Sequence, residues 1–244
     1  MTRIWTALLA AGMLLLAVPA AAQELTEDRV RQLVLETIRE NPGIVMEAVA
    51  ILQAQEAEAQ AGAQAEVLNE QREILERDPN APVFGNPDGD VTIVEFFDYN
   101  CPYCRRAMPE LEVLLESDPN VRMVMREWPI LGEGSVFAAR AALAARKQGL
   151  YEEFHWAMMG MEGRAEEPSV LDIADAVGLD IDRLLQDMDA PEVDEHIATT
   201  MRLARDLGFT GTPSFVIGDQ LVPGLVESAR LIRLVNQVRE DQAN

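Results

Sequence analysis

The chain of 244 residues contains two cysteines, Cys101 and Cys104, separated by Pro102 and Tyr103. The strongly apolar run VTIVEFF, residues 91–97, comes shortly before them. Two thiols at this spacing can form a structural disulfide, supply half of a zinc site, or act as a redox pair. A disulfide across so short a loop removes little conformational entropy from the unfolded chain. The pattern therefore favours a chemical role for the pair.

Metal and cofactor chemistry has weaker support. A structural zinc ion usually takes four ligands, and the chain offers only His155 and His196 besides its two cysteines. Both histidines are more typical of a helix face than of a ligand set. Met158, Met159 and Met161 have the soft sulfur ligands that copper(I) prefers, but methionines at that spacing usually fill a core. We expect no metal and no cofactor.

The elements predicted around the cysteines explain how the pair would react. The apolar run predicts a buried strand, and CPYCRRAMPELEVLLES predicts a helix that begins at Cys101, with Pro102 in its first turn. The unpaired N–H groups and the dipole at a helix N-terminus stabilise an anion. We therefore expect the pKa of Cys101 to lie below its ordinary value of about 8.5. Its thiolate would attack a substrate disulfide, and Cys104 would resolve the mixed disulfide.

Glu95 lies within the apolar strand, six residues before Cys101. A buried carboxylate is costly, so its presence there needs an explanation. If strand alternation turns Glu95 inward behind the helix, it can carry a proton to and from Cys104. The alternative is an outward-facing residue on an edge strand. We favour the inward position.

Thr212-Pro213 directly precedes the strand-forming residues SFVIG. A proline at the start of a strand cannot donate to the sheet, and a cis peptide bond there would suit a close approach to the cysteines. The next residues predict a hairpin that turns at Gly218-Asp219, followed by a closing helix over 226–240.

Between these two halves, NVRMVMREWPI predicts a second strand, and residues 135–208 predict a mostly helical block. The predicted order is strand, helix, strand, helical block, strand, strand, helix.

The first residues have the character of a secretory signal. Arg3 is the only charged residue before Glu24, residues 4–18 form an apolar stretch of 15 residues, and Ala20 and Ala22 fit an A-x-A cleavage site. A membrane anchor is the alternative, but about 20 apolar residues are needed to span a bilayer. We expect cleavage near Ala22 and export to the periplasm, where disulfides persist.

Composition adds two limits. The 20 basic and 42 acidic residues give a formal charge of −22, which repels nucleic acid and anionic lipid. We therefore expect no nucleic-acid partner. Apolar residues make up 48% of the chain, enough for a sizeable core.

Residues 24–78 are rich in Glu, Gln and Ala, and their apolar residues recur at helical spacing. They predict two or three helices, interrupted at Pro42-Gly43. The apolar faces of these helices must be buried, either against the rest of the chain or against copies of the same segment. We favour a homo-oligomer through residues 24–78.

The order of elements, the CxxC motif after the first strand and the Thr-Pro pair together resemble the thioredoxin superfamily. EFFDYNCPYC and the helical block resemble the DsbA family of bacterial envelope thiol–disulfide proteins, over about residues 82–240. The segment with ENPGIVMEAV is similar to the N-terminal arm of the ScsC-like members. The resemblance implies an α/β, thioredoxin-like fold with a helical insertion, preceded by an α-helical N-terminal arm.

The implied domains are a signal peptide over 1–22, the N-terminal arm over 23–81, a thioredoxin-like domain over 82–132 and 206–244, and the helical insertion over 133–205.

The resemblance also implies roles for residues. Cys101 would be the exposed nucleophile, Cys104 its partner and Glu95 the buried acid. Tyr103 replaces the histidine of the prototype DsbA, so we expect a less oxidising pair. The threonine before the proline is similar to the isomerase DsbC. Pro213 would be a cis-proline that faces the disulfide, and the substrate-binding residues would be Pro102, Tyr103, Thr212 and Pro213.

Three classes of function follow. The first is an oligomeric disulfide isomerase or reductase that acts on disulfide-containing secreted proteins and is kept reduced by a membrane redox partner. The second is a monomeric DsbA-like dithiol oxidase. The third is a non-catalytic envelope binding protein or a copper-linked chaperone. We favour the first.

Overall fold

The computed structural model describes residues 26–243. The predicted signal peptide, residues 1–22, lies outside the described residues. The chain divides into two compact units, with the boundary between Ala57 and Glu58.

Two helices begin the described chain. Helix α1 spans Glu27–Glu40, and helix α2 spans Gly43–Arg77, a length of 35 residues. Thr26 caps α1 because its Oγ1 accepts a hydrogen bond from the N–H of Arg29. The sequence prediction of helices interrupted at Pro42-Gly43 agrees with this arrangement.

The larger unit contains a five-stranded mixed sheet. Its strands are β1 (Val83–Gly85), β2 (Val91–Phe97), β3 (Val121–Glu127), β4 (Ser214–Ile217) and β5 (Gln220–Pro223). Their order across the sheet is β1-β3-β2-β4-β5; β2 and β3 are parallel, and the other pairs are antiparallel. Strand β2 is therefore central.

Strand β1 is absent from the order of elements that the sequence predicts. It has only three residues and lies between segments rich in Pro, Asn, Asp and Gly. Such residues indicate turns, so a short strand among them leaves no periodic pattern.

The remaining helices connect and cover the sheet. Helix α3 (Pro102–Ser117) joins β2 to its parallel neighbour β3, and α9 (Ser228–Ala243) closes the chain. Five helices form the insertion between β3 and β4, with one short 3₁₀ turn at Arg146–Gln148: α4 (Glu133–Ala145), α5 (Tyr151–Gly160), α6 (Glu167–Ala176), α7 (Ile181–Asp187) and α8 (Pro191–Asp206).

Each face of the sheet has its own core. Ile93 and Phe97 belong to the cluster that includes residues of α3, α9 and the insertion. Val94 and Phe96 belong to a second cluster, which contains Leu68 and Leu75 of α2.

The end of α2 is also held by polar contacts. Arg126 of β3 is fully buried and donates to the Asp78 carboxylate at 2.7 Å and to the carbonyl oxygens of Ile74 and Leu75. The last turns of α2, which lie within the predicted N-terminal arm, thus belong to the same compact unit as the sheet.

Candidate active site

Cys101 and Cys104 lie where β2 leads into α3. Cys101 is the N-cap residue of α3, and Pro102 occupies its first turn. Both cysteines are free thiols. The expected exposure of the nucleophile is wrong for this structure, because Cys101 is only 4% exposed and Cys104 1%. The carbonyl oxygen of Thr212 lies 3.2 Å from the Cys101 Sγ, which donates to it in the thiol form.

The surroundings of Cys101 favour its thiolate. The hydrogen bond from the Cys104 thiol contributes most to lowering the pKa of Cys101 to about 5, against an opposing effect of burial. The side chain of Thr212 and the N–H groups of Cys104 and Tyr103 add further stabilisation. The N–H groups are the unpaired donors at the start of α3. The shift has the direction that the sequence predicts.

Cys104 has the opposite character. Burial, followed by the hydrogen bond to Cys101 and the charge of Glu95, raises the pKa of Cys104 far above its ordinary value. The pair therefore shares one proton unequally, with a thiolate on Cys101 and a thiol on Cys104. This is the arrangement that attack by the first sulfur requires.

Glu95 lies on the central strand β2 and is 2% exposed. The alternative of an outward-facing residue on an edge strand is therefore wrong. Its neighbours in register are Met125 on β3 and Phe215 on β4, and neither carries a charge. Burial, with a smaller effect of the Cys101 charge, raises the pKa of Glu95 to about 8.

The peptide bond between Thr212 and Pro213 is cis, as the sequence analysis expects. Together with Tyr103, which is 52% exposed, these residues line an open groove of about 330 Å³. The groove also includes Thr210, Gly211, Pro223, Gly224 and Leu225. The structure thus brings the predicted substrate-binding residues Tyr103, Thr212 and Pro213 to one surface, and Pro102 is exposed beside Cys101.

Asp98 is a site residue that the sequence analysis missed. It is 1% exposed, and its Oδ1 accepts hydrogen bonds from the Asn100 N–H and the Ser135 hydroxyl, both at 2.7 Å. Its Oδ2 accepts from the N–H groups of Ile130 and Leu131 at 2.8 and 2.9 Å. Asp98 therefore fixes the turn before Cys101 to the loop after β3. An aspartate whose side chain accepts from the backbone N–H two residues later is a known turn signal. The sequence DYN, residues 98–100, contains this signal.

A second buried network lies beside this turn. The Glu127 Oε1 accepts from the hydroxyl groups of Tyr99 and Tyr151 at 3.0 and 2.8 Å, and the Tyr99 hydroxyl is 3.1 Å from the His155 Nδ1. The His196 Nε2 accepts from the Glu127 N–H at 3.2 Å. Burial raises the pKa of Glu127 and lowers the pKa of each histidine to about 3. The histidines are thus buried and neutral.

Within residues 26–243, no group of three or more His, Cys, Asp or Glu side chains is placed to hold a metal ion. Met158 and Met159 belong to helix α5 of the insertion and are buried in the core. Among the helices of the same residues, none is long and apolar enough to cross a membrane.

A mixed sheet with a CxxC pair at the start of the helix after its central strand, opposite a cis-proline, defines a thioredoxin-fold redox protein. Residues 92–236 match the family described as DSBA-like thioredoxin domain, which is more than half of the chain. The chain belongs to this family. Residues 27–59 match a second family, described as Copper resistance protein ScsC N-terminal domain.

Solved structures agree with these matches. A thioredoxin-like oxidoreductase from Silicibacter pomeroyi DSS-3 is 66% identical, with a TM-score of 0.69, and the match covers 69% of this chain and 98% of that one. A linker-deletion variant of Proteus mirabilis ScsC is 29% identical, with a TM-score of 0.66 and coverage of 92% and 100%. The thiol-disulfide exchange protein α-DsbA2 from Wolbachia pipientis is 29% identical, with a TM-score of 0.69 and coverage of 74% and 98%.

Curated relatives that the chain matches include proteins named Na(+)/H(+) antiporters. One from Salinispora arenicola is 32% identical over 146 residues, which are 55% of this chain and 21% of that protein. The chain spans about a quarter or less of the length of these first relatives. The family and structure matches confirm the predicted thioredoxin-like fold with a helical insertion, and its resemblance to the ScsC-like group.

Proposed function

We propose that this DsbA-like thiol–disulfide oxidoreductase acts in the periplasm as a disulfide isomerase or reductase on secreted proteins. The observation that carries the proposal is the unequal sharing of one proton between Cys101 and Cys104, at the edge of an open groove. Only a thiolate attacks a disulfide efficiently, and the groove lies next to Cys101 because Thr212, which lines the groove, contacts the Cys101 Sγ.

The reaction begins when the Cys101 thiolate attacks one sulfur of a substrate disulfide. A bond forms between the two sulfurs, the substrate S–S bond breaks, and the second substrate sulfur leaves as a thiolate. In isomerisation, that substrate thiolate attacks another disulfide of the substrate. A final attack of a substrate thiolate on the mixed disulfide restores the Cys101 thiolate, with no net oxidation.

Reduction uses Cys104. Its thiol loses a proton, and the thiolate attacks Cys101, which releases the reduced substrate and leaves a disulfide between Cys101 and Cys104. A membrane redox partner that supplies a dithiol must then reduce this disulfide. We propose that Glu95 accepts the proton, since its charge acts on Cys104. The pKa of Glu95 is raised in part by the Cys101 charge, which disappears in the mixed disulfide. More of Glu95 is then ionised at the moment when Cys104 must lose its proton.

We further propose that the protein is a homo-oligomer through its N-terminal helices. In the single chain, α1 buries no residue, and Val30, Leu33, Val34, Ile38 and Ile44 line an apolar groove of about 420 Å³ with Thr37. Residues 27–59 also match the ScsC N-terminal family. Linked subunits raise the effective concentration of several thiolates around one misfolded substrate.

The test compares the mass by light scattering, and the refolding of a scrambled-disulfide substrate, of the mature chain and of a chain that begins at Glu58. The cut is at Glu58 because Leu68 and Leu75 belong to the core. Val34→Glu places a charge on the apolar face of α1, and Gln32→Glu places the same charge at an exposed polar position. We expect an oligomer that truncation and Val34→Glu dissociate, with loss of isomerisation, while Gln32→Glu stays assembled.

One observation favours a DsbA-like dithiol oxidase as the second candidate. A pKa of about 5 at Cys101 stabilises the reduced form, and this makes a pair more oxidising. Equilibration with glutathione and the rate of oxidation of a reduced substrate distinguish the two roles. A monomeric mature chain that oxidises quickly and does not isomerise would establish the oxidase instead.

A further inference from the structure

Arg105 follows Cys104 in the first turn of α3, and its side chain folds back toward the turn before Cys101. Its Nε donates to the carbonyl oxygen of Tyr99 at 3.0 Å, and its Nη1 donates to the carbonyl oxygens of Met161 and Gly163 at 3.1 and 2.6 Å. One guanidinium group therefore joins the turn before the nucleophile to the loop between α5 and α6.

The same loop has a second attachment on the other side of Cys101. The Asn100 side chain accepts from the Ala165 N–H at 2.8 Å and donates to the Ala165 carbonyl oxygen at 3.1 Å. Asn100 precedes the nucleophile, and Arg105 follows it by four residues. Their two sets of bonds fix the residues around Cys101 to the insertion.

The acceptors of Arg105 are neutral carbonyl groups. Across residues 26–243, no carboxylate forms a salt bridge with Arg105. Its Nη2 is buried and has no hydrogen-bond partner within the described part of the chain. The buried Arg126, in contrast, is paired with the Asp78 carboxylate.

The charged and titratable groups that act on Arg105 are Arg164, Asp98 and Cys101. Asp98 already accepts four hydrogen bonds at its own carboxylate, and Arg164 is a like charge. Partial burial, followed by Arg164, lowers the pKa of Arg105 from its ordinary value, but a guanidinium remains protonated in proteins. Arg105 lies one helical turn after Cys101, whose carbonyl oxygen accepts from the Arg105 N–H at 3.2 Å, and its charge interacts with Cys101 as well as with Asp98.

We propose that Arg105 is a positioning residue for the Cys101 nucleophile: it fixes the turn before Cys101 to residues 161–163, and it holds a cation that forms no salt bridge within residues 26–243 one helical turn after the thiolate. This inference rests on the proposed thiol–disulfide exchange at Cys101. The proposal assigns this role to Arg105 and not to its neighbour Arg106. The guanidinium carbon of Arg106 lies 4.4 Å from the centre of the exposed Tyr103 ring.

The experiment uses the full mature protein in three variants: Arg105→Met, Arg105→Lys and the matched control Arg106→Met. The first readout is the pKa of Cys101, followed by ultraviolet absorbance of the thiolate. The second is hydrogen exchange of the backbone over 161–165. Arg105→Met removes the charge and the bonds, so we expect Cys101 to bind its proton roughly tenfold more tightly and the loop to exchange faster. We expect a smaller pKa change for Arg106→Met, with unchanged loop exchange.

Arg105→Lys separates the two contributions. Lysine keeps a positive charge but lacks the planar guanidinium group that donates to several carbonyls. In Arg105→Lys we therefore expect faster backbone hydrogen exchange over 161–165, with a Cys101 pKa close to that of the parent protein. Equal pKa values in Arg105→Met and Arg106→Met would overturn the proposal, as would a shift in Arg105→Lys as large as that in Arg105→Met.

If Arg105→Met does not fold, the comparison of Arg105→Lys with Arg106→Met tests the proposal instead. Loop exchange no faster than in Arg106→Met would then overturn the proposal, and faster exchange with a retained pKa would support it. Neither readout needs a substrate or turnover. A protein that fails as an isomerase can thus still confirm the role of Arg105, and the two failures are distinguishable.

Discussion

The Sγ of Cys101 lies 3.2 Å from the carbonyl oxygen of Thr212, across the gap between the start of α3 and the loop before β4. Thr212 offers Cys101 two different groups. The carbonyl oxygen accepts from the thiol only, whereas the side chain stabilises the thiolate. The residue before the cis-proline can therefore shift the balance between the two forms of the nucleophile.

Thr212→Val tests this balance because it removes the hydroxyl group and keeps the shape and the carbonyl. A hydrogen bond to a charged group contributes about 1.5–3 kcal/mol, so we expect the pKa of Cys101 to rise by about 1–2 units. Since the reduced form loses stabilisation, the pair becomes less oxidising. Thiolate absorbance as a function of pH and equilibration with glutathione measure both changes.

The control for that variant is Thr210→Val in the same groove. Among the described residues, the groups that hydrogen-bond to the Cys101 sulfur belong to Cys104, Thr212 and Tyr103 and not to Thr210, so removing the Thr210 hydroxyl should change neither quantity. Equal behaviour of the two variants would show that the Thr212 hydroxyl does not act on the thiolate.

Glu95→Gln tests the proposed proton acceptor. The amide fills the same buried space but cannot take a proton from Cys104, so we expect slower resolution of the mixed disulfide, by about 10²-fold. Attack by Cys101 should be much less affected. Rapid-quench analysis of the two steps separates them, with Glu112→Gln on the exposed face of α3 as the control. Resolution at the parental rate would remove Glu95 from the mechanism.

The raised pKa of Glu95 also predicts how the stability of the folded protein depends on pH. Its pKa is about 8 in the folded protein against an ordinary value of 4.5, so the folded state keeps a proton that the unfolded state has lost. This contribution is fully present below pH 4.5 and is lost as the pH rises to about 8. In the reduced protein, we expect Glu95→Gln to raise the melting temperature at pH 8 and to leave it nearly unchanged at pH 4. Equal differences at both pH values would contradict the buried, unpaired carboxyl group.

The local structure around the cysteines could be predicted because its signals are local. An apolar run of strand length, a proline in the first helical turn and the CxxC spacing indicate β2 and α3 directly. The hydrogen bonds of Asp98 to Ile130 and Leu131 join segments about 32 residues apart, so no local pattern reveals more than its turn.

The face of β3 shows why the role of α2 could not be predicted. Arginine residues are mostly exposed in proteins, yet Arg122 and Arg126 of β3 are only 7% and 0% exposed. Their burial is tolerated because both side chains donate to backbone carbonyls at the end of α2, including those of Glu76 and Leu75. The apolar residues of α2 that reach the sheet lie in an Ala- and Gln-rich helix, where they look like part of an extended arm.

Asp98→Ala should destabilise the domain strongly. The change leaves the N–H groups of Ile130 and Leu131 and the Ser135 hydroxyl without their partner. An unpaired buried donor costs about 1–3 kcal/mol. Because Ile130 and Leu131 are exposed and water can reach their N–H groups, we expect a total loss of about 2–4 kcal/mol in the free energy of unfolding. Denaturant titration measures it. Asp88→Ala, at an exposed position, should lose less than about 0.5 kcal/mol, and a similar loss in both variants would show that Asp98 does not fix the turn.

Leu75→Ala tests whether the end of α2 belongs to the catalytic unit. Leu75 is 1% exposed in the cluster with Val94 and Phe96, whereas the adjacent Ile74 is 36% exposed. Removing a buried leucine side chain costs about 2–5 kcal/mol because the transfer energy is lost and a cavity remains. We expect that loss in a chain that begins at Glu58, where the preceding helices cannot contribute. The matched change Ile74→Ala should cost clearly less. If both variants unfold at the parental denaturant concentration, the last turns of α2 do not stabilise the sheet, and the whole helix would have to be assigned to the N-terminal arm.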